Sequence, residues 1–350
     1  EAGRVEAREI RVLFYQQGAR LLAHRPVLGY GVGQFGGIVA EQHDPNWELA
    51  PRFPGGFNLY DFDGTTVDSF WLHLVVEVGL LGLLVYLVWL WLVTAPLVGA
   101  TNRFAGRRVL VRCYHGLGDT IQFARFLPLL AAMAREVIVW APSSLLPLLA
   151  TMHDAGRLLP LHDGTPDVPY DVDIELMELP HALRITLAAL PAEVPYLHPP
   201  AAPRLSPELA VGVAPSAGSW DPRRSIEPPL LGRLAAIQGV ALYNLLPGAD
   251  VPGAMDASTS DLLEAASRVK VLDVVVTVDT MMAHLAGALG VPVFTLLHSQ
   301  PDWRWMTGRA DSPWYPTMRL FRQKCAGEWE PAVADATAAI REIAAAHHRF

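Results

Sequence analysis

The chain has 350 residues, 51% of them hydrophobic and 18% charged, and its formal net charge is −8. This length suggests two domains, or one domain with appendages, and the acidic balance excludes a general basic field for a nucleic-acid partner. The two cysteines, Cys113 and Cys325, are too few for a disulfide framework and are expected to be buried or free thiols in a reducing compartment.

Residues 1–70 are predicted to form an external amphipathic and loop segment. Val5 to Leu22 has the apolar spacing of an amphipathic helix. In the glycine-rich stretch HRPVLGYGVGQFG, no strand precedes the glycines and no Lys-Ser/Thr pair follows, which argues against a phosphate loop. Asp44 to Gly64 is rich in Pro, Gly and Asp and is predicted to be a loop. Because the chain starts at Glu1 without a signal-peptide pattern, we expect that the beginning of a longer protein is missing.

An uncharged apolar run extends from Val78 to Ala100. A membrane-spanning helix needs about 20 such residues, so residues 71–100 are predicted to be a transmembrane helix. The alternative is a buried core helix, although core helices are usually shorter and carry a polar stripe.

The charges on either side of the run predict its orientation. Four arginines follow it at Arg103, Arg107, Arg108 and Arg112, whereas aspartates outnumber arginine just before it. The positive-inside rule then predicts a bacterial inner-membrane protein whose C-terminal domain is cytoplasmic and whose N-terminal segment is periplasmic. The cytoplasm is also where nucleotide-activated sugars are made.

The order of HRPVLGYGVGQF, a loop and DSFWLHLVVEVGLLGLLVYLVWL resembles the C-terminal end of the O-antigen ligase/polymerase membrane family. Proteins of that family have many spans, whereas this segment has one. A His-Asn pair often precedes their last span, and the matching place here reads Val67-Asp68-Ser69. The resemblance therefore implies a remnant of such a protein without an evident catalytic His.

After Arg107 the pattern alternates between strands and helices, which predicts an α/β fold with parallel sheets covered by helices on both faces. Residues 107–200 are predicted to be a first Rossmann-like lobe. Its predicted elements are strands at Val109–Val111, Val137–Trp140 and Asp171–Leu176, and a helix at Thr120–Ala134.

A proline-rich linker from Pro191 to Pro207 separates this lobe from a second Rossmann-like lobe over residues 208–350. Ligands of such lobes bind at the carboxyl ends of the strands. The predicted strands are Leu209–Ala214, Val240–Leu245, Val274–Val278 and Val291–Leu297, and the predicted helices are Leu230–Ile237, Leu262–Val269, Met281–Leu289 and Ala332–Ala345.

The loop after the first strand contains Gly116, Gly118 and Asp119. Its glycines let the backbone approach a ligand, and the following helix N-terminus favours an anion. Asp119 is predicted either to cap the helix or to accept a proton from an attacking hydroxyl. A nicotinamide site is disfavoured because Ile121 occupies the third glycine position of the dinucleotide motif.

A second loop, Asp279-Thr280-Met281-Met282-Ala283-His284, joins the β-branched strand to a helix. Free backbone N–H groups and the helix dipole favour a diphosphate there, Thr280 adds a hydroxyl, and His284 lies one turn on, on the side of Thr280. The structural alternative is a capping Asp279 and a His284 packed under the sheet.

A third loop follows Ala214 and contains Ser216, Arg223 and Arg224. The two arginines are candidates to neutralise a pyrophosphate leaving group in place of a metal ion. The alternative is an ordinary solvated pair. The histidines are scattered and the cysteines have no close partner, so no metal site is predicted.

These loops resemble glycosyltransferase family 9, the heptosyltransferase-like family, in the segments GLGDTIQFARFLPLL, VGVAPSAGSWDPRRSI and DVVVTVDTMMAHLAGALGVPVFTLL. The tail PDWRWMTGRADSPWYPTMRLFRQ resembles the subgroup often fused to tetratricopeptide repeats. The resemblance implies a GT-B fold and inverting, metal-independent transfer from a nucleotide diphosphate sugar to a glycan or lipid-linked acceptor, with no further cofactor.

By that resemblance, Asp119 is the expected general base, and Asp279, Thr280 and His284 belong to the donor diphosphate and ribose site. Met281 stands where the family often has Gly, and an Arg pair stands near a position that is often Lys. Two further hypotheses are a catalytically degenerate scaffold and a fragment of a ligase/polymerase fusion.

Overall fold

The computed structural model of the chain describes residues 10–32, 35, 70–99, 103–218 and 221–347. The chain divides into two compact units, Glu1–Arg103 and Phe104–Phe350. The predicted loop from Asp44 to Gly64 lies outside the described residues.

The first unit contains two helical segments, α1 (Ile10–His24) and α2 (Phe70–Gly99). A helix is confirmed from Ile10 onward, and the first residues of the predicted amphipathic helix lie outside the described part of the chain. α2 is interrupted at Gly79, whose φ of 67° and ψ of −172° are not helical.

The glycine-rich loop after α1 packs against this interruption. Gly29 and Gly79 both have positive φ, and a Cβ on either one would lie within 2.6 Å of the other's backbone nitrogen. Only glycine allows that approach. Four backbone hydrogen bonds join the two segments: Tyr30 N to Val76 O, Gly31 N to Glu77 O, Leu80 N to Pro26 O, and Leu81 N to Val27 O. The loop thus satisfies polar groups that the interrupted helix leaves unpaired.

One stretch of α2, Leu74–Thr94, is long and apolar enough to cross a membrane, with a mean hydropathy of 2.2. Only 11% of it is buried within the structure. After Gly79 the helix continues to Gly99, a length of about 30 Å at 1.5 Å per residue. Length and composition therefore suit a span, and the span itself remains a prediction.

The second unit begins with a small, wholly parallel sheet. Its strands, β1 (Arg108–Arg112), β2 (Glu136–Ala141), β3 (Arg157–Pro160) and β4 (Val172–Glu175), lie in the order β3-β2-β1-β4. Its helices are α3 (Leu117–Ala124), α4 (Leu127–Ala131), α5 (Leu146–Leu149) and α6 (Leu179–Ala182).

The three strands predicted for this lobe are confirmed, and β3 was not predicted. The helix predicted at Thr120–Ala134 is instead two helices, because Pro128 has no N–H to continue the hydrogen-bond ladder. The prediction of helices on both faces is wrong for this sheet. β4 lies beside β1, so the chain from β3 must cross the sheet, and it does so as a loop that covers Leu110, Ile138 and Trp140.

The larger sheet is also parallel. Its strands, β5 (Leu209–Ala214), β6 (Val240–Asn244), β7 (Met255–Asp256), β8 (Val274–Val278), β9 (Val293–Leu297) and β10 (Met318–Arg322), lie in the order β10-β9-β8-β5-β6-β7. Its helices are α7 (Pro228–Gly232), α8 (Leu262–Lys270), α9 (Met281–Ala288) and α10 (Glu330–His347).

Helices cover both faces of this sheet, as predicted: α8 and α9 pack on one face, and α7 and α10 on the other. The central strand β8 is buried at every residue, which its β-branched run predicted. The predicted helix at Leu230–Ile237 is a short helix followed by a 3₁₀ turn, and the edge strands β7 and β10 were not predicted.

The two lobes are joined at a buried cation. The linker residues 191–207 contain no helix or strand. Arg125, at the end of α3, donates hydrogen bonds to the carbonyl oxygens of Pro191 in the linker and Trp314 in the second lobe, and to the hydroxyl of Tyr196. It is only 4% exposed and lies over the ring of Tyr315 at 4.5 Å. First lobe, linker and second lobe therefore meet at one side chain.

Candidate functional site

A cleft of about 590 Å³ lies between the lobes, at the carboxyl ends of β1 and β8. This is the edge of a parallel sheet where ligands bind. Seven of the nine residues predicted for the site line it: Gly116, Gly118, Asp119, Arg224, Asp279, Thr280 and His284.

Helices α3 and α9 meet in this cleft from opposite lobes. A Cβ on Gly118 would lie 2.9 Å from Cδ2 of His284 and 3.1 Å from Cα of Met281. The first distance is shorter than real Cβ contacts and the second is tighter than most of them, so the absence of a side chain at Gly118 favours the contact. Met281 is part of the same close approach.

Asp119 does not cap α3. The N-cap is Gly116, no side chain bonds the free N–H groups there, and Asp119 lies in the first turn. Its Oδ1 instead accepts a hydrogen bond of 2.6 Å from Nη1 of Arg304 in the other lobe. The capping alternative is therefore wrong, and Asp119 faces the cleft with an ion-pair partner.

Arg304 was not identified from the sequence. It lies on a 3₁₀ turn, Trp303–Trp305, and is 9% exposed. Its Nε donates to Oδ1 of Asp302 at 2.8 Å, and its Nη1 also donates to Oε1 of Gln122 at 3.0 Å. Burial alone lowers the pKa of this guanidinium, but its contacts with Asp119 and Asp302 outweigh that effect and raise the pKa. Arg304 is therefore a permanently charged group in the cleft wall.

A signal for Arg304 was present in the segment Asp302-Trp303-Arg304-Trp305. An arginine between two tryptophans is a candidate for burial, and a buried cation needs carboxylate partners. Its partner Asp119 lies 185 residues earlier in the chain, so the sequence gives no indication of the pairing.

The start of α9 contributes a second set of cleft residues. Nη1 of Arg224 donates to the backbone oxygen of Asp279 at 3.2 Å and lies 3.7 Å from its Oδ2. Burial raises the pKa of Asp279, while Trp305 and Arg224 oppose that rise. Thr280 is the N-cap, and its hydroxyl makes no capping hydrogen bond, which leaves that hydroxyl for a ligand.

His284 is held between aromatic rings. Its imidazole stacks on Trp305 with the ring centres 5.3 Å apart, and its Nδ1 lies 3.1 Å from the hydroxyl of Tyr315. Burial and then the charges of Arg304, Arg125 and Arg224 lower its pKa well below 6.5. If the tyrosine hydroxyl donates to Nδ1, the Nε2–H is a neutral donor for the cleft. The structural alternative is wrong for Asp279, because Thr280 is the N-cap and no side chain caps the helix. His284 is buried, as that alternative predicted, and it also lines the cleft.

This lowered pKa predicts a component of the pH dependence of stability. Below pH 6.5 the unfolded His284 binds a proton and the folded one does not, so falling pH favours unfolding by up to about 1.4 kcal/mol for each pH unit. In urea unfolding between pH 7 and pH 5, His284→Gln is expected to lose less stability than the unsubstituted chain. Parallel curves for the two proteins would contradict the neutral assignment.

Two predicted residues do not line the cleft. The hydroxyl of Ser216 bonds to the carbonyl of Ala217 and to the hydroxyl of Ser225, inside its own loop. Arg223 forms a forked pair with Asp221, with 68% of its side chain exposed. The solvated alternative therefore holds for Arg223, whereas its neighbour Arg224 lines the cleft.

A further group on the first lobe was not predicted. The imidazole of His115 contacts the carboxylate of Glu175 through Nε2, and the hydroxyl of Tyr114 donates to the same carboxylate at 2.8 Å. His115 lines the cleft beside Gly116. Tyr114 and His115 follow β1 and Glu175 ends β4, and these two strands are adjacent in the sheet.

A second cavity of about 340 Å³ lies at the carboxyl end of β6, on the same edge of the larger sheet, and is lined by Asn244, Asp250, Asp256 and Ser258 among others. Within the described ranges, no group of three or more His, Cys, Asp or Glu side chains is placed to hold a metal ion. Cys113 is buried and Cys325 is exposed, both as free thiols, as predicted.

Residues 241–325, from β6 to just beyond β10, match the model of Glycosyltransferase family 9 (heptosyltransferase). The chain is 34% identical over 86 residues to Protein FlbA of Caulobacter vibrioides. That match covers 25% of the chain and 14% of FlbA, so the chain spans about a seventh of that relative. Residues 241–325 of the second lobe are thus similar to family 9 glycosyltransferases.

The structure of Escherichia coli ADP-heptose LPS heptosyltransferase II matches 69% of this chain and 98% of that protein, with a TM-score of 0.50 and 14% identity. This similarity establishes the fold as an α/β, GT-B-like glycosyltransferase fold with parallel sheets. The site residues have to be argued from their own geometry.

Proposed function

We propose that the unit Phe104–Phe350 is an inverting glycosyltransferase that uses a nucleotide diphosphate sugar. The observation that carries this proposal is that Asp119 on the first lobe and the start of α9 on the second line the same cleft. A proton acceptor on one side and an anion site on the other are what transfer from a diphosphate donor requires.

The donor diphosphate binds at the start of α9. The helix dipole and its first N–H groups attract the anion, and the Thr280 hydroxyl and neutral His284 add hydrogen bonds. Arg224 and Arg304 supply the positive charge that stabilises the leaving group. The carboxylates in the cavity after β6, Asp250 and Asp256, suit the ribose hydroxyls, because an acid after the second strand of a Rossmann lobe has that role.

In the proposed reaction an acceptor hydroxyl attacks the anomeric carbon. Its proton passes to Asp119, the new C–O glycosidic bond forms, and the bond to the diphosphate breaks with its electron pair on the departing oxygen. His115, held by Glu175, contributes to acceptor binding on the same side.

The relatives support a finer assignment. The E. coli relative is an ADP-heptose heptosyltransferase, so a heptose and an adenine nucleotide are the first candidates here. Glycan or lipopolysaccharide-type acceptors fit the same class. The apolar Leu74–Thr94 segment supports a membrane tether with this unit in the cytoplasm.

Nucleotide binding by the full chain tests the donor site. ADP, GDP, UDP and CDP, and their sugars, are screened for thermal stabilisation of the detergent-solubilised protein. A true ligand at 100 times its Kd is expected to stabilise the folded state by about 2.7 kcal/mol. The catalytically degenerate scaffold predicts no stabilisation by any of them, and that result would contradict the proposal.

Two neighbouring arginines provide a matched control for this screen. Arg224→Gln removes a cleft cation and is expected to weaken the stabilisation, whereas Arg223→Gln alters an exposed pair outside the cleft and is expected to preserve it. Equal effects of the two substitutions would place the anion elsewhere.

A further inference from the structure

Arg304 extends from the second lobe to the first across the cleft. Its Nη1 donates to Asp119 on the first lobe at 2.6 Å, and its charge contributes to the lowered pKa of His284 on the second. Its Nε is held by Asp302 at 2.8 Å. Nη2 makes no hydrogen bond to any residue in the described part of the chain, so one arm of the guanidinium is available to a ligand.

The backbone of Arg304 is fixed while its side chain faces the cleft. The indole Nε1 of Trp314 donates to the carbonyl oxygen of Arg304 at 2.9 Å. The next residue, Trp305, is fully buried against His284. Met306, which ends the turn, has a φ of 52°, a conformation that side chains rarely adopt and that surrounding packing must maintain.

The described side chains that line the cleft include more carboxylates than guanidinium groups, which disfavours a bound anion. Among the described residues that line the cleft, three carry carboxylates, Asp119, Asp279 and Asp302, and two carry guanidinium groups, Arg224 and Arg304. A bound diphosphate adds further negative charge. It must therefore compete with Asp119 for the positive charge of Arg304, because both anions draw on the same guanidinium.

We propose that Arg304 couples proton acceptance by Asp119 to departure of the diphosphate. This inference rests on the proposed function. Before transfer, Arg304 is shared between the Asp119 carboxylate and the donor diphosphate. As the acceptor proton passes to Asp119, that carboxylate becomes neutral and attracts the guanidinium of Arg304 less strongly. The C–O bond to the diphosphate breaks in the same step, so the guanidinium stabilises the departing oxygen as its negative charge grows.

The test is a double-mutant cycle on nucleotide affinity, which does not depend on turnover. ADP binding is measured by calorimetry for the full chain and for Asp119→Asn, Arg304→Gln and the double variant, with UDP, GDP or CDP if the thermal screen favours one of them. Asp119→Asn is expected to tighten ADP binding about tenfold, because Arg304 loses its competing anion. Arg304→Gln is expected to weaken binding by about tenfold or more.

The decisive quantity is the effect of Asp119→Asn in the Arg304→Gln background, which is expected to fall below about threefold. If Asp119→Asn tightened ADP binding equally with and without Arg304, the carboxylate would simply repel the diphosphate, and the proposed coupling would be overturned. Absence of nucleotide binding by the unsubstituted chain would instead contradict the proposed donor site, and the inference with it. If Arg304→Gln does not fold, Arg304→Met replaces it in both arms, since methionine keeps a long apolar side chain and removes the charge.

Arg309→Gln is the matched control in this cycle. Arg309 forms a forked pair with Asp311 in the same tail, and it does not line the cleft. It is expected to leave ADP affinity unchanged. A loss there equal to that of Arg304→Gln would show that the tail has been disturbed and would overturn the assignment to Arg304.

Discussion

Asp119→Asn is expected to lower kcat for sugar transfer by about a thousandfold, the range in which a general base contributes. The amide keeps the shape of the side chain and an oxygen to accept from Arg304, so the fold and the lobe contact are retained. What it cannot do is take the acceptor proton. The measurement is transfer of labelled sugar to glycans of membrane extracts, with the donor that the thermal screen identifies.

The distinguishing feature of this variant is its combination of effects. Turnover falls while affinity for the nucleotide diphosphate is kept or increased, because the lost carboxylate competes with the diphosphate. Asp311→Asn alters an exposed, ion-paired carboxylate that does not line the cleft, so it is the matched control and is expected to transfer normally. Full turnover in Asp119→Asn would require another base, for which His115 with its Glu175 partner is a candidate that also lines the cleft.

Tyr315→Ala is expected to lower the free energy of unfolding by about 3–5 kcal/mol, as removal of a large buried aromatic ring does. Tyr315 is fully buried, its ring packs against the backbone of Gly287, and Arg125 lies over its face. The substitution leaves a cavity and removes a neighbour of an already buried cation. Urea unfolding followed by tryptophan fluorescence measures the effect.

Two controls separate the ring of Tyr315 from its hydroxyl. Tyr315→Phe keeps the volume and is expected to cost about 1 kcal/mol, the usual net value of a hydrogen bond. Tyr170→Ala removes an exposed tyrosine of the same unit and is expected to stay within about 0.5 kcal/mol. A loss as large for Tyr170→Ala as for Tyr315→Ala would mean that burial does not determine the effect.

The central strands and long helices were predictable because burial leaves a pattern in the sequence. Val274–Val278 is a run of β-branched residues, and its strand is buried at every position. The missed strands β3 and β7 lie at sheet edges and are partly or wholly exposed, so hydrophobic burial left little pattern to detect. The loop over the small sheet was missed because its topology depends on where β4 pairs, which no local pattern indicates.

Only those site residues that follow a strand could be predicted from the sequence. Asp119 and the Asp279–His284 segment follow strands, and the carboxyl ends of parallel strands meet at one edge. Their partners were not predictable. Arg304 comes from a 3₁₀ turn that is far from Asp119 in the sequence. Arg223 and Arg224 are neighbours in another 3₁₀ turn, and of these two arginines only Arg224 lines the cleft.

The contacts of Arg125 bear on how the cleft admits large substrates. A single guanidinium bonds the linker at Pro191, the second lobe at Trp314 and the linker hydroxyl of Tyr196, and its side chain comes from the helix that carries Asp119. Rotation of the second lobe against the first must break at least the bond from Arg125 to Trp314, which joins the two lobes directly. We therefore expect the lobes to exchange between two discrete states, open and closed, rather than to drift through a continuum.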